Sequence, residues 1–295
     1  MIERAPNPLG VHALVWAGDT SRESVKRAVA ETAAAGFDLL ELSLHDLDNL
    51  DVAHARHLLE SEGVVVACSR GLAFDADVSS DDTAVVERGA RLLADSLAAT
   101  ASLGGRILTG ALYSALGKYA QPVTERGRAN AVSVLTSLAR EAQGHGITLG
   151  LEICNRYETN VVNTARQALA LADAIAEDNV MIHLDTYHMN IEEDDLVRPV
   201  RDVGDRLGYV HIGENHRGFL GSGHLDFTGF FHALADIDYR GPITFESFSS
   251  AVLAPGLSHD LAVWRDLWDD GAPLAAHARQ FLAAHLDSAT LAAHA

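Results

Sequence analysis

Short apolar runs alternate with longer stretches of helical periodicity along almost the whole chain. Eight runs have the length and composition of buried strands; they cover residues 9–16, 37–43, 63–69, 105–111, 147–153, 180–185, 208–213 and 242–247. Between them, apolar residues recur at helical spacing, most clearly at 21–36, 51–63, 81–104, 124–146 and 163–177. The pattern therefore predicts strands and helices in strict alternation.

The ends of the predicted helices carry capping residues. Several begin at Asp, Ser, Thr or Asn, and glycine precedes or opens most of the strands; these glycines are Gly36, Gly63, Gly104, Gly146, Gly208 and Gly241. Eight strands alternating with eight helices predict an α/β fold, a (β/α)8 TIM barrel. An open, doubly wound sheet is the alternative, but the turn after the first strand, VWAGDTSRES, lacks the glycine pattern of a nucleotide-binding loop.

One domain is expected over residues 1–295, because no Ser/Gly-rich or Pro-rich linker divides the chain. The barrel is predicted at about 9–257, and a C-terminal amphipathic helical segment at about 258–286. In that segment Trp264 and Trp268, four residues apart, would share one face that packs on the barrel or on a partner subunit. The tail, SATLAAHA, is expected to fray.

Composition limits which partners and which cellular compartment are expected. The formal net charge of −19 repels phosphate backbones and anionic lipid, so neither nucleic acid nor a membrane is an expected partner. The two cysteines, Cys68 and Cys154, exclude a disulfide framework. The start, MIERAPNPLG, has no apolar signal core and no 18-residue apolar run follows, so a cytoplasmic location is expected.

Four potential metal ligands end successive strand-like runs. Glu152 closes ITLGLE, Asp185 closes NVMIHLD, His211 lies in LGYVHIG and Glu246 in GPITFES, at intervals of 33, 26 and 35 residues. Such strand ends form the catalytic face of a (β/α)8 barrel. Mixed oxygen and nitrogen ligands suit Mn²⁺, Co²⁺ or Mg²⁺. The sequence therefore predicts a divalent-metal site at this face of the barrel.

Each of these residues also has a purely structural interpretation. Glu152 would form a buried salt bridge with Arg156 or a neighbour, and the same would hold for Glu246. Asp185 would cap the next helix, and His211 would be a core residue. A charged side chain inside a barrel strand is costly unless it is paired or binds a metal. Because the four residues recur at one depth, metal binding is the stronger interpretation.

The two glutamates among the ligands indicate proton transfer. A metal chelated by neighbouring carbonyl and hydroxyl oxygens would acidify the C–H between them and stabilise an enediolate. One glutamate would remove that proton and the other would return one to the opposite face, which inverts the carbon. No phosphate-cradling loop or nucleophilic serine or cysteine motif stands out, so an unphosphorylated polyol or sugar is the expected substrate.

Further polar residues follow these strands in the loops. Glu158 in NRYETN, His188 in DTYHMN and Arg217 in GENHRG would bind a polar substrate or form loop ion pairs. On the first strand, His12 and Trp16 would line the floor and wall of a pocket, although Trp16 is equally well explained as a core residue.

The segments that carry these residues resemble a known enzyme family. LEICNRYETN, HLDTYHMNIEE, YVHIGENHRGFLGSG and GPITFESFSS are similar to the ketose 3-epimerases of the xylose isomerase-like TIM barrel superfamily. The resemblance is strongest to the D-tagatose 3-epimerase and D-allulose (D-psicose) 3-epimerase group and spans about residues 9–285. It implies a metal-dependent isomerase that inverts C3 of a free ketose and assembles as a homodimer or homotetramer.

The resemblance also implies roles for individual residues. Glu152, Asp185, His211 and Glu246 would hold one divalent ion per subunit, with Mn²⁺ favoured over Co²⁺ or Mg²⁺. The two glutamates would be the acid/base pair at C3. His188 and Arg217 would hold oxygens at the C1–C2 end of the sugar, and Glu158 would contribute to the pocket.

Two positions depart from the family pattern at the C4–C6 end of the sugar. Some members have a tryptophan after the fourth strand, where this chain has GALYSALGKY with Tyr113. Ser69 stands where some members have cysteine. The preferred substrate therefore stays open between D-allulose/D-fructose, D-tagatose/D-sorbose and L-ribulose/L-xylulose.

Three other functions compete with 3-epimerisation. An aldose–ketose isomerase of the same superfamily would move a proton between C1 and C2 at the same kind of metal site. An apurinic endonuclease would share the barrel, but it needs more histidine ligands and a DNA-binding face that a net charge of −19 disfavours. A non-catalytic sugar-binding barrel would not need both glutamates.

Overall fold

A computed structural model describes residues 7–292 and contains a closed barrel of eight parallel strands. The strands are β1 (Leu9–His12), β2 (Leu39–Ser43), β3 (Val65–Ser69), β4 (Ile107–Gly110), β5 (Thr148–Glu152), β6 (Val180–Asp185), β7 (Leu207–Ile212) and β8 (Ile243–Phe245). Each strand pairs with its neighbours in sequence, and β8 closes the barrel by placing Phe245 opposite Val11 of β1. The predicted (β/α)8 barrel is confirmed, and all eight predicted strands are present.

Ten α-helices are present within residues 7–292. They are α1 (Arg22–Ala34), α2 (Val52–Glu62), α3 (Thr83–Leu103), α4 (Glu125–Gly144), α5 (Ala165–Ile175), α6 (Thr186–Glu192), α7 (Arg198–Val203), α8 (Phe227–Asp236), α9 (Pro255–Asp260) and α10 (Gly271–Ala292). An Asp, Ser or Thr side chain caps the start of each of the first five helices, as predicted. At α2, for example, the Asp51 side chain accepts from the backbone N–H of His54, and Gly63 ends the helix at φ 69°. A residue with a Cβ is strained at such a φ.

The barrel interior carries a small apolar cluster beneath the strand ends. Leu39, Ala67 and Tyr209 pack together, and because β7 is not a neighbour of β2 or β3, they meet across the interior. Glycine makes room for polar side chains above them: a Cβ at Gly150 would lie 2.4 Å from the hydroxyl oxygen of Thr109. The interior is therefore apolar at depth and polar towards the carboxyl ends of the strands.

The C-terminal segment differs from the predicted continuous helix. It is divided into α9 and α10 by an irregular stretch at 261–270, in which Ala262 takes a positive φ of 52°. Trp268 is buried there and donates from Nε1 to Ser247 at 2.9 Å, whereas Trp264 is 68% exposed. The prediction that the two tryptophans share a helical face is wrong, because neither lies in a helix.

The last helix is longer than predicted. Helix α10 continues to Ala292, past the predicted end of the helical segment at about residue 286. Fraying of the tail stays a prediction, and residues 293–295 lie outside the described range. The helix packs on α8 and contacts β1 and β8, which confirms the predicted packing of the C-terminal segment on the barrel. Across residues 7–292, no helix is both long enough and apolar enough to cross a membrane.

Candidate active site and metal centre

The barrel brings together the four residues predicted to bind metal. Glu152 and Asp185 are the last residues of β5 and β6, His211 is the penultimate residue of β7, and Glu246 directly follows β8. One ligand atom from each lies within 4.8 Å of the others. His211 Nδ1 is 3.4 Å from an oxygen of Glu152, 3.4 Å from one of Glu246 and 3.8 Å from Asp185 Oδ2.

The chemistry of this cluster fits a divalent cation. Asp185 Oδ2 and His211 Nδ1 are buried and have no hydrogen-bond partner. Unpaired buried polar atoms are costly, and so is the approach of three carboxylates to one another in the interior. A metal ion would satisfy both orphaned atoms and neutralise the crowded negative charge. Three carboxylates and one imidazole form a donor set suited to Mn²⁺, Co²⁺ or Mg²⁺.

Burial and neighbouring charges shift the pKa values of two of these carboxyl groups in opposite directions. Burial raises the pKa of Glu152, and His211 offsets this only in part. Burial also acts to raise the pKa of Asp185, but His188 and Arg217 outweigh it and hold that pKa below its usual value. Asp185 is therefore held as a carboxylate, whereas Glu152 has a pKa shifted towards the range useful for proton transfer.

His188 lies beside the cluster in a defined tautomer. Its Nδ1 accepts from the backbone N–H of Asn155 at 3.2 Å, so the neutral ring carries its proton on Nε2. That Nε2 is 3.6 Å from Asp185 Oδ2, 3.8 Å from Glu152 Oε1 and 3.9 Å from Glu158 Oε2. Glu158 also accepts from Asn155 Nδ2 at 2.9 Å. His188 thus presents a donor, and Glu158 an acceptor, next to the predicted ligands.

Glu152 does not form the salt bridge with Arg156 that was its structural alternative. Arg156 pairs instead with Glu192, with Nη2 and Oε2 2.8 Å apart. The other structural alternative does apply in part: the Asp185 side chain caps α6 through Oδ1, which accepts from the N–H of Tyr187 at 2.6 Å. Because the cap uses only Oδ1, Oδ2 stays available for a metal.

Arg217 is buried against Glu246 and two aromatic rings. Its guanidinium forms an ion pair with Glu246 and lies 3.6 Å from Asp185 Oδ2. The same group stacks 3.8 Å from the ring centre of Tyr187 and 4.7 Å from that of Phe248. Its backbone takes a positive φ of 60°, a conformation that only surrounding contacts can hold. The guanidinium is therefore pre-positioned at the cluster.

Glu41 of β2 also belongs to the site, although it is absent from the residues predicted from the sequence. It is fully buried, and its Oε2 accepts from His211 Nε2 at 2.6 Å and from the Tyr209 hydroxyl at 2.9 Å. Its Oε1 lies 3.5 Å from His12 Nε2. The sequence did contain a signal, because Glu41 lies inside the apolar run LLELS. As for Glu152, a charged side chain inside a barrel strand is costly unless it is paired or binds a metal.

A cavity of about 430 Å³ opens beside the cluster. It is lined by Glu152, His211 and Glu246 and by two residues predicted to contact substrate, His12 and Ser69. A second cavity of about 290 Å³ adjoins it on the side of Glu158 and Arg217. Both cavities are also lined by Phe248, which follows β8, and by Leu261, which follows α9.

Two aromatic residues do not lie where the sequence placed them. Trp16 is 1% exposed and donates from Nε1 to Thr32 of α1 at 3.0 Å, because a 3-10 turn at Ala13–Val15 carries the chain away from the barrel mouth. Tyr113 is fully buried, and its hydroxyl donates to the backbone oxygen of Glu152 at 2.6 Å. Neither residue lines the two cavities described, so the predicted pocket role of Trp16 is corrected to a core role.

The core role of Trp16 leads to a testable prediction. Trp16→Phe removes the hydrogen bond to Thr32 and leaves a buried hydroxyl without its partner, which costs about 1–3 kcal/mol. We expect a lower free energy of unfolding in denaturant but a KM within twofold of the parent. Thr32→Val, which removes the same bond from the other side, is the matched control. A tenfold rise in KM for Trp16→Phe alone would restore the pocket role.

The fold and the cluster together define the broad class of protein. A family model described as "Xylose isomerase-like TIM barrel" matches residues 29–283. The match covers β2 to β8, and therefore all four strand ends that supply the predicted ligands.

Sequence relatives narrow the class. The chain is 49% identical over 273 residues to a protein of Methylomonas sp. (strain DH-1) named L-ribulose 3-epimerase, covering 92% of this chain and 96% of the relative. It is 48% identical to a ketose 3-epimerase of Arthrobacter globiformis, covering 93% and 95% of the two chains. The chain therefore belongs to the ketose 3-epimerases, carbohydrate epimerases of the isomerase class, as its resemblance predicted.

A solved structure agrees with this assignment. A D-allulose 3-epimerase from Methylomonas sp., crystallised in complex with D-allulose, superposes with a TM-score of 0.93 at 48% identity. The superposition covers 95% of this chain and 97% of that one.

Proposed function

We propose that this protein inverts C3 of a free ketose by passing protons through Glu152 and Glu246. The observation that carries the proposal is the convergence of these two carboxylates on one imidazole, with His211 Nδ1 3.4 Å from an oxygen of each. They come from β5 and β8, which are not neighbours in the barrel, so they reach the cluster from different sides. Two carboxylates on different sides of one carbon are what inversion requires.

The proposed metal ligands are Glu152, Asp185, His211 and Glu246, with Mn²⁺ as the favoured ion and Co²⁺ or Mg²⁺ as alternatives. When bound, a divalent ion supplies Lewis-acid polarisation of the sugar carbonyl.

The remaining polar groups would orient the sugar. His188 would donate from Nε2, and Arg217 from its guanidinium, to oxygens at the C1–C2 end. Glu158, 3.9 Å from His188 Nε2, would accept from a neighbouring hydroxyl. These groups are held by Asn155, Tyr187 and Phe248 before substrate arrives, and pre-positioning reduces the entropy lost on binding.

Proton transfer would then be divided between the two glutamates. One carboxylate removes the C3 proton and leaves an enediolate, and the other delivers a proton to the opposite face. The raised pKa of Glu152 suits a group that must both accept and release a proton near neutral pH. In the reverse reaction the two glutamates exchange roles.

The far end of the sugar would lie in the larger cavity. His12 and Ser69 line it, and so does Arg70, whose guanidinium donates to the backbone oxygen of Leu44. The candidate substrate pairs are D-allulose/D-fructose, D-tagatose/D-sorbose and L-ribulose/L-xylulose. The names of the relatives support the first and third pairs, because they mention L-ribulose and D-allulose.

An assay of products tests this function directly. The Mn²⁺-loaded protein is incubated with D-fructose, D-tagatose and L-ribulose, each with a chelated control, and the sugars are separated by chromatography. Metal-dependent C3 epimers are expected, and their rates rank the substrates. Aldose products would instead identify the aldose–ketose isomerase, whose proton moves between C1 and C2 at the same kind of cluster.

Arg217 provides a prediction about substrate binding. Arg217→Lys keeps the charge but loses the planar fork and the stacking on Tyr187 and Phe248. We expect kcat/KM to fall about 10- to 100-fold, which is the effect of losing one hydrogen bond from a charged group. Arg156→Lys, at an exposed arginine that pairs with Glu192, is the matched control, and its kcat/KM should stay within twofold of the wild-type value. Equal effects of the two substitutions would argue against a substrate contact.

The assembly, the compartment and the domain structure are proposed as well. Resemblance to the family supports a homodimer or homotetramer in the cytoplasm, which light scattering on the purified protein and cell fractionation test. A single domain over the chain is supported by the contacts of α10 with β1, β8 and α8. It predicts one cooperative unfolding transition in calorimetry.

A further inference from the structure

Glu41 is a buried carboxylate whose hydrogen bonds all lie inside the barrel. One oxygen accepts from His211 Nε2 and from the Tyr209 hydroxyl, at 2.6 and 2.9 Å. The Tyr209 hydroxyl is in turn 2.7 Å from Thr244 Oγ1. Glu41 is thus joined to β7 directly and to β8 through Tyr209, although β2 pairs with neither strand.

This bond decides which nitrogen of His211 can act as a ligand. A neutral imidazole has one N–H and one lone pair. Since Nε2 faces Glu41, the proton belongs on Nε2 and the lone pair on Nδ1. Nδ1 is the atom that lies among the three carboxylates and has no hydrogen-bond partner. With the opposite tautomer, an N–H would point at the metal site.

His12 lies on a second side of the same carboxylate, next to the Glu41 oxygen that has no hydrogen-bond partner. Its Nδ1 accepts from the backbone N–H of Leu14 at 3.2 Å, so its proton lies on Nε2. That Nε2 is 3.5 Å from Glu41 Oε1. The backbone of the first βα loop therefore orients His12, and His12 presents its N–H towards Glu41, at β-ladder partner positions of β1 and β2.

The cost of burying this glutamate indicates that its role is more than packing. Its neighbours in the strand, Leu40 and Leu42, are buried apolar residues. A buried charge is usually less favourable than a well-packed apolar side chain of similar volume. An apolar residue at position 41 would fill the space but would leave His211 Nε2 without an acceptor.

We propose that Glu41 is a positioning residue of the metal centre, which fixes His211 with Nδ1 facing Glu152, Asp185 and Glu246. The inference rests on the proposed metal site and adds a residue that acts on it through His211. Carboxylates that accept from a metal-binding histidine typically change metal affinity 10- to 100-fold when removed. The Tyr209 hydroxyl holds Glu41 in place by a hydrogen bond, and His12 lies beside its other oxygen.

The test is the affinity of the full-length, metal-free protein for Mn²⁺, measured by calorimetric titration. Glu41→Met removes the acceptor, and we expect it to weaken Mn²⁺ binding about 10- to 100-fold. Glu41→Gln keeps an acceptor oxygen and should weaken binding less. Tyr209→Phe removes one hydrogen bond from Glu41 and should have the smallest effect. This order follows from how much of the His211 contact each variant keeps.

A matched control separates positioning from stability. Asp77 is also a buried carboxylate that accepts from a tyrosine hydroxyl, that of Tyr119, at 2.6 Å. It contacts none of the four predicted ligands in the described structure. Asp77→Asn should lower the melting temperature and leave the Kd for Mn²⁺ within twofold.

The visible spectrum of the Co²⁺-loaded protein gives a second measurement, because its bands report ligand geometry. We expect Glu41→Met to shift these bands and Asp77→Asn to leave them unchanged. A Glu41→Met variant with wild-type Kd and spectrum would overturn the proposal. If that variant does not fold, an unchanged Kd in both Glu41→Gln and Tyr209→Phe would overturn it. Failure of the wild-type protein to bind Mn²⁺ would instead overturn the metal site itself.

Discussion

Replacing Glu246 with glutamine is expected to lower the rate of C3 inversion by about 10²- to 10⁴-fold while the barrel stays folded. The amide has nearly the same size and keeps one oxygen that can bind a metal, but it cannot carry a proton. Chromatography of the products measures the rate, and bound metal and circular dichroism are measured on the same samples. Residual inversion above a tenth of the wild-type rate would exclude Glu246 as a proton carrier.

Exchange in D₂O distinguishes the two glutamates. In Glu246→Gln, Glu152 can still remove a C3 proton and return deuterium to the same face, so one epimer should gain deuterium without inversion. Glu152→Gln should show the same behaviour with the other epimer. The control is Glu193→Gln, because Glu193 is half-buried and only accepts from the backbone N–H of Ala165 at 2.8 Å. It should match the wild type in both measurements.

Removal of metal is expected to abolish turnover and to lower the melting temperature. Without a cation, three carboxylates crowd one imidazole, and the Asp185 and His211 atoms that face the cluster lack partners. Restoring Mn²⁺ to 100 times its Kd adds about 2.7 kcal/mol of stability. For a chain of this size the entropy of unfolding is about 0.6 kcal/mol/K, so this stabilisation corresponds to a rise in melting temperature of about 4 °C.

The control for this effect removes one ligand. Asp185→Asn should unfold at a temperature that Mn²⁺ hardly changes, because a neutral amide is a weaker ligand than a carboxylate. Scanning calorimetry of both proteins, with chelator and with Mn²⁺, makes the comparison. Full activity in the chelated wild-type protein, with no change of melting temperature, would exclude a metal-dependent reaction.

The strands and the four clustered residues were predictable for a local reason. Burial on both faces gives parallel barrel strands continuous apolar runs, which are visible in any short window of sequence. A polar residue at the end of such a run lies on the catalytic face of the barrel. Glu152, Asp185 and Glu246 each stand at such an end, so their convergence needed no knowledge of distant contacts.

The predictions that the structure corrected failed because they depended on contacts between elements distant in the sequence. Trp16 is the last residue of an apolar run, and only the 3-10 turn after β1 shows that it packs against α1. Trp264 and Trp268 have helical spacing, but the chain between α9 and α10 is irregular. In each case local periodicity was present and contacts with other elements overrode it.

The sequence by itself determined the order of strands and helices and the strand end that carries each proposed ligand, because apolar periodicity is a local property. The tertiary structure alone decided which nitrogen of His211 faces the other ligands. That choice depends on the carboxylate of Glu41, 170 residues away in the chain. Only closure of the barrel brings these two side chains within hydrogen-bonding distance.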